Sequence, residues 1–235
     1  MKRFWTEATT QAEEAGWRVL LDGKPVRIPG GGPLLLPSSL LADAIAAEWQ
    51  VAGGAAGGEM SYADLPLTRL VGTAQERILV DMEPVILEIS RYGETDLLCY
   101  RVEEPTALAD RQHEAWQPWL DWAARDLGAP LRVTSAMVHV PQEPSALAAL
   151  AARVATHSHL ELAALGVAVP ALGSLVLGLA MASFRLTAPE AHALATLEER
   201  YQAETWGWDE EAASRLRRVG EDLAVAERLL TLARS

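Results

Sequence analysis

The sequence predicts an α+β protein, with a small β-rich N-terminal domain over residues 1–64 and a larger, mostly α-helical domain over residues 65–235. Three observations carry this reading. An Asp-Gly pair at Asp22-Gly23 joins two short stretches of strand-like sequence. From Pro66 onward apolar residues recur at helical spacing. Half of the 235 residues are hydrophobic, enough for a sizeable buried core.

The β-rich part begins with Trp17-Arg18-Val19-Leu20-Leu21 and Lys24-Pro25-Val26-Arg27-Ile28. Both central positions of a type I′ turn need positive φ, which Asp-Gly tolerates, so the two stretches form a hairpin with Trp17, Val19 and Leu21 on one face. Leu34-Leu35-Leu36 suits a short strand before Pro37. Ser38 or Ser39 then caps a helix that carries Leu41, Ile45 and Trp49 and ends by Gly53. Gly53 to Gly58, with two alanines inside, has no side chains able to pack; its composition predicts a mobile loop near a domain junction.

In the helical part, Leu67, Leu70, Val71 and Ala74 mark an apolar face, and residues 78–91 continue it past Pro84 until Gly93. A further helix over 108–127 carries Trp116, Trp119 and Trp122, with Pro118 placed to kink or divide it. Residues 131–134 and 138–140 read as extended. Pro141 and Pro144 precede an alanine-rich helix over 145–165. Thr187-Ala188-Pro189-Glu190 is a capping box with proline in the first turn, opening a helix to Gly207, and Asp209-Glu210-Glu211 places acid at the positive end of a last helix.

Composition narrows the function. Twenty basic residues against 32 acidic ones give a net charge of -12, which disfavours nucleic acid as partner. One cysteine, Cys99, leaves no disulfide framework and fits a reducing compartment. The start at Met1-Lys2-Arg3 turns acidic at once, without the apolar run of a secretory signal, so a cytoplasmic location is expected. Residues 162–184 carry no charge and are long enough for a membrane span. Gly166 and Pro170 interrupt them, which favours two buried segments over membrane insertion.

Catalytic chemistry finds little support. Gly53 and Gly58 have the spacing of a phosphate-binding loop, but Glu59-Met60 stand where Lys and Ser or Thr are needed. Gly30-Gly31-Gly32 lacks the rest of a dinucleotide fingerprint. His157 and His159 are two apart, and on a helix that spacing turns them about 200° from each other, too far to share a metal ion. His113, His139 and His192 stand alone. Ser174 has no nucleophile elbow around it, and Cys99 lies in an apolar patch where a thiol fills core. The reading is of no catalysis, no metal and no cofactor. The alternative is a metal- or acid-base-dependent hydrolase built from His157, His159 and scattered acids; a third is a membrane-anchored accessory protein.

Eight tryptophans are many for this length, and most belong in a core. Trp206 and Trp208, on either side of Gly207, are the pair to expect at a surface, with at least one of them still packed.

Tyr92-Gly93-Glu94-Thr95-Asp96-Leu97-Leu98-Cys99-Tyr100-Arg101 resembles the signature of the ATP-twelve family, assembly chaperones that serve the alpha subunit of the ATP synthase catalytic head. Further segments agree in order. Gly16 to Lys24 is similar to that family's N-terminal hairpin, and Ala44-Ile45-Ala46-Ala47-Glu48-Trp49 to the helix after it. Pro66-Leu67-Thr68-Arg69-Leu70 and Gln112 with Trp116, Pro118 and Trp122 resemble later elements. The last match is Leu197-Glu198-Glu199, Tyr201-Gln202, Glu204, Trp206-Gly207 and Asp209-Glu210-Glu211-Ala212. Leu65 and Gln75-Glu76 depart from the pattern, and the Gly53 to Gly58 loop is longer than usual.

The resemblance implies a non-catalytic monomeric chaperone that binds unassembled alpha subunit until beta subunit replaces it, cytoplasmic in bacteria and mitochondrial in eukaryotes. It also implies a partner-binding region at Glu198, Glu199, Tyr201, Gln202, Glu204, Trp206 and Trp208. The family's functionally important glutamate maps to Glu198 or Glu199, with Glu204 a further candidate.

Overall fold

The computed structural model describes residues 1–28, 30–136 and 138–235. Three strands, β1 (Ala8–Glu13), β2 (Gly16–Leu21) and β3 (Lys24–Pro25), form one antiparallel sheet in that order. Helices follow: α1 (Ser39–Val51), α2 (Pro66–Thr73), α3 (Glu83–Ser90), α4 (Thr106–Asp126), α5 (Pro144–Val154), α6 (His159–Leu172), α7 (Leu175–Ala182), α8 (Ala188–Ala195), α9 (Leu197–Trp206) and α10 (Glu210–Leu232). The α+β class is thus the one expected. Among the described residues no helix is long and apolar enough to cross a membrane.

The chain divides into two compact units. The first comprises Met1–Met82, His159–Ala163 and Arg228–Ser235; the second comprises Glu83–Ser158 and Ala164–Glu227.

In the first unit, Asp22 and Gly23 adopt φ of 47° and 78°, both positive as the type I′ turn requires, and β2 pairs with β3 through Leu20 and Leu21. The sequence did not reveal β1, which pairs with β2 along its whole length, Ala8 opposite Leu21 to Glu13 opposite Gly16. It is an edge strand with no buried residue, so it lacks the apolar alternation that marks a half-buried strand. Residues 34–36 form no strand of their own; Leu36 makes an isolated bridge to Trp17. Ser38 caps α1, its hydroxyl accepting from the Leu41 N–H at 3.3 Å.

The core of this unit is tied together by polar groups. Trp5 meets Trp49 edge to face at 5.1 Å. The Trp49 indole donates to Thr68 Oγ1 at 3.1 Å, and Thr68 donates onward to Glu48 at 2.5 Å. Buried Glu48 also accepts from the backbone N–H groups of Leu67 (2.7 Å) and Thr68 (2.9 Å). A carboxylate from α1 therefore caps the positive N-terminus of α2, where Pro66 leaves no donor of its own. The glycine-rich stretch after α1 is more firmly held than its composition predicts. Buried Arg3 donates to the carbonyls of Gln50 (2.7 Å), Gly54 (2.5 Å) and Thr6 (3.1 Å), and its backbone pairs with Gly57 and Gly58. Glu161 and Arg234, both of this unit, pair at 2.6 Å.

The expected helix over 78–91 is broken. A π-helical turn over Ala74–Ile78 ends the α2 run, and α3 starts afresh at Glu83 with Pro84 in its first turn.

The second unit is built around Asp96. Its carboxylate accepts from the Ser174 hydroxyl (2.8 Å) and the backbone N–H groups of Val176 (2.9 Å) and Leu98 (3.1 Å). Ser174 in turn accepts from the Leu177 N–H, so the start of α7 is capped twice. The charge-free stretch at 162–184 breaks here rather than at Gly166 or Pro170. Pro170 lies inside α6, and Gly173, at φ 61°, turns the chain into α7. Pro118 likewise sits within an undivided α4.

Two further expected helices are each two. The 145–165 helix ends at Val154, where the His157 ring faces the carbonyls of Arg153 and Val154 at 3.0 and 3.2 Å. The helix opened by the Thr187 capping box stops at Ala195, because the Thr196 hydroxyl turns back to the His192 carbonyl at 2.7 Å and its ψ of 21° is not helical. Residues 131–134 and 138–140 hold no strand; Thr134 makes an isolated parallel bridge to Tyr100.

Candidate partner-binding site

The residues singled out near Gly207 all lie on α9 or the turn after it, within the second unit. Glutamates at the start of α9 suit the positive end of the helix, and Gly207, at φ 84°, ends it in a conformation that a β-carbon would strain. Asp209 then opens α10, its Oδ2 accepting from the Ala212 N–H at 3.0 Å. No residue of α9 is fully buried. This helix is therefore held by one side and leaves the other uncovered.

The held side is polar. Buried Gln112 on α4 donates from Nε2 to Glu198 Oε1 at 2.6 Å, while its own Oε1 accepts from the Val102 N–H at 2.8 Å. Partial burial, then the neighbouring charge of Glu199, raises the Glu198 carboxyl above its ordinary range; the Gln112 bond pulls the other way. Arg111, one residue before Gln112, pairs with Glu204 at 2.6 Å and lies over the Tyr201 ring at 5.1 Å. Tyr201 and Glu204 are three apart, so a single guanidinium reaches both. The Trp116 indole donates to the Leu194 carbonyl at 2.9 Å, just before α9 begins.

The seven expected residues thus separate. Glu198, Tyr201 and Glu204 are engaged by α4. Glu199 is farther from its cation, 4.0 Å from Arg215 on α10, and Gln202 is exposed. Trp206 is 77% exposed and Trp208 58%. Both indoles stand in solvent, which corrects the expectation that one of the pair packs inside. Trp5, Trp49, Trp116 and Trp122 fill cores, half of the eight tryptophans rather than the expected majority, with Trp17 and Trp119 partly exposed.

Comparison with known proteins gives the context. The family described as ATP12 chaperone protein matches residues 2–124, just over half of the chain. The chain belongs to the ATP12 chaperone family. The crystal structure of Atp12 from Paracoccus denitrificans is 43% identical, covers 98% of this chain and 97% of its own, and superposes with a TM-score of 0.91. A variant of that protein with one aspartate replaced by lysine has the same fold, also at 0.91. The Atu1473 protein of Agrobacterium tumefaciens is 40% identical over 99% of this chain and 86% of its own, with a TM-score of 0.90. Protein atp12, mitochondrial, of Schizosaccharomyces pombe is 25% identical over 222 residues, 90% of this chain and 75% of the relative.

The family's central signature now has a physical reading in this ATP12 chain. Asp96 caps α7, and Gly93 sits in a tight place, where a β-carbon would meet the Leu150 side chain on α5 at 3.1 Å and that side chain would have to give way. Cys99 is fully buried, and burial pushes its thiol up to about 12, so it stays protonated as core. Among the described residues no group of three or more His, Cys, Asp or Glu could hold a metal ion.

Sequence reasoning missed Arg111 as part of the site. No local motif marks it, and its partners lie about ninety residues downstream, Glu204 being 93 positions away.

Proposed function

We propose that this chain is a soluble, monomeric assembly chaperone for the ATP synthase catalytic head, which binds the unassembled alpha subunit and yields it to beta subunit. Family membership supports the chaperone reading, and the observation that carries the binding surface is the pair Trp206 and Trp208. A subunit awaiting its ring neighbour exposes apolar surface, which aggregates unless covered. Large amphipathic rings held in solvent offer contact area to such a surface at small entropic cost. Near them in sequence, Glu199, Asp209, Glu210 and Glu211 supply acidic groups to set register. Contact of this kind is reversible: a few aromatic anchors give grip, and a rim of charge lets a better-matched neighbour displace the holder. The reaction is holding and release, with no bond made or broken and no cofactor engaged. Glu199 is the glutamate best placed to meet the partner, since Glu198 is already committed to Gln112.

The test is co-purification of free alpha subunit with the tagged chain, using assembled catalytic head as control. Capture of the free subunit alone is expected, and replacing both Trp206 and Trp208 by alanine lowers it at least about tenfold, as loss of a central anchor does. Equal aggregation of free alpha subunit with and without the chain would end the proposal.

A further inference from the structure

We infer that a depression in the second unit, remote in sequence from α9, is a carboxylate-binding site for an acidic side chain of a bound protein. It measures about 580 Å³ and is open to solvent. Trp122 and Asp126 from the end of α4, Arg153 and Thr156 from α5 and the turn after it, and Ser183 and Arg185 after α7 line it.

Two residues of the lining carry buried donors that lack acceptors among the described residues. Trp122 is only 4% exposed, and its indole N–H has no hydrogen-bond partner among the described residues. The Nε–H of Arg153 is buried in the same condition. A buried donor without an acceptor costs free energy; neither N–H is open to solvent, and an acceptor oxygen admitted by a small shift of the side chains covering them would relieve that cost. Ser183 adds a hydroxyl, while that of Thr156 already donates to the Arg153 carbonyl at 2.7 Å. Arg185 lies over the Trp122 ring at 5.7 Å, which fixes a guanidinium above the indole.

Charge selects the ligand. Arg153 and Arg185 face one acid, Asp126, which already pairs with Arg125 at 3.0 Å and lies farther from Arg185, at 3.4 Å. The hydrogen bond from Arg125 holds the Asp126 carboxyl below its ordinary range, so this acid stays charged and committed. The lining still carries a net positive charge, on a chain whose overall charge is -12. A carboxylate supplies two acceptor oxygens in one plane, matching N–H groups from an indole and a guanidinium.

The backbone points to a protein as the source. Phe184 sits between the two lining residues Ser183 and Arg185 with φ of 53°, in the left-handed region that a helix C-cap usually gives to glycine. Its ring is 51% exposed. An exposed aromatic residue next in sequence to two lining residues favours a ligand with an apolar neighbour next to its acid, as a polypeptide has and a small free acid lacks.

The test uses nuclear magnetic resonance of the indole N–H groups in the full chain, with the Trp122 signal assigned by Trp122→Phe. The probes are the capped peptide acetyl-Gly-Asp-Phe-Gly-amide, its Asn counterpart, and sodium acetate at matched ionic strength. The Asp peptide should shift the Trp122 signal saturably, at least tenfold more tightly than the Asn peptide or acetate. Arg153→Lys keeps the charge but removes Nε–H and should weaken binding at least tenfold; exposed Arg185→Met should do so without threatening the fold. Equal response to the Asp and Asn peptides, no response at all, or acetate binding as tightly as the Asp peptide would each overturn the inference. No alpha subunit enters the assay, so failure here is separable from failure of the holder proposal.

Discussion

Glu198 on α9 accepts from Gln112 on α4 at 2.6 Å, and Gln112 is itself fixed by the Val102 N–H. The amide is buried and uses both ends, so it works as a two-sided clamp between backbone and α9. Exchanging Gln112 for alanine leaves the Val102 N–H and the inner oxygen of Glu198 without partners. We expect a loss of about 1–3 kcal/mol in urea unfolding. A smaller change, under about 0.5 kcal/mol, would mean that α9 does not depend on this clamp.

Glu198 and Glu199 are neighbours in sequence with different tasks, so charge reversal separates them. In Glu198→Lys the new ammonium faces the Gln112 amide donors, and the thermal midpoint should fall by several degrees. Glu199→Lys gives up only a 4.0 Å pairing with Arg215, and the midpoint should stay within about two degrees. On the proposed function, the second variant nevertheless loses capture of free alpha subunit. Normal capture by folded Glu199→Lys would move the essential carboxylate elsewhere.

Glu48 is the only side chain described as accepting from both Leu67 and Thr68 at the head of α2, which gives a second stability test. Glu48→Ala strands these two backbone donors and the Thr68 hydroxyl in a buried setting. About 2–4 kcal/mol should be lost, comparable with other broken buried networks. Glu48→Gln keeps one acceptor oxygen and should recover part of it. Equal stability of the two variants would argue against the capping role.

How far these relationships could be read in advance follows from their range along the chain. The Asp22-Gly23 turn, the Ser38 cap and the Thr187 capping box were legible because each is decided within four residues. The breaks at 155–158 and at Thr196 were not, because neither carries the glycine or proline that usually ends a helix. β1 hid behind its polar, exposed sequence. At the candidate site, the exposure of Trp206 and Trp208 was half anticipated from the intervening glycine. The division of labour among Glu198, Glu199 and Glu204 was invisible, since it depends on Arg111 and Gln112 more than eighty residues away.

Asp96 offers the sharpest pH test. Complete burial raises its carboxyl to about 6, although hydrogen bonds from Val176, Ser174 and Leu98 favour the charged form. In the unfolded chain the same group titrates near 3.8. Between these values the folded protein binds the extra proton, so the contribution of Asp96 to stability is full below about pH 4 and is lost as pH rises toward 6. Asp96→Asn cannot titrate. It is less stable throughout, because its amide presents hydrogens where the helix presents donors. The informative quantity is the stability difference between wild type and this variant, which cancels the other carboxylates. That difference should shrink by about 2 kcal/mol from pH 4 to pH 6.5, most of the roughly 3 kcal/mol that the whole shift from 3.8 to about 6 is worth at 1.36 kcal/mol per unit. A difference that stays constant, or grows with pH, would show that Asp96 is ionised in the folded core at acid pH and that its three donors outweigh burial.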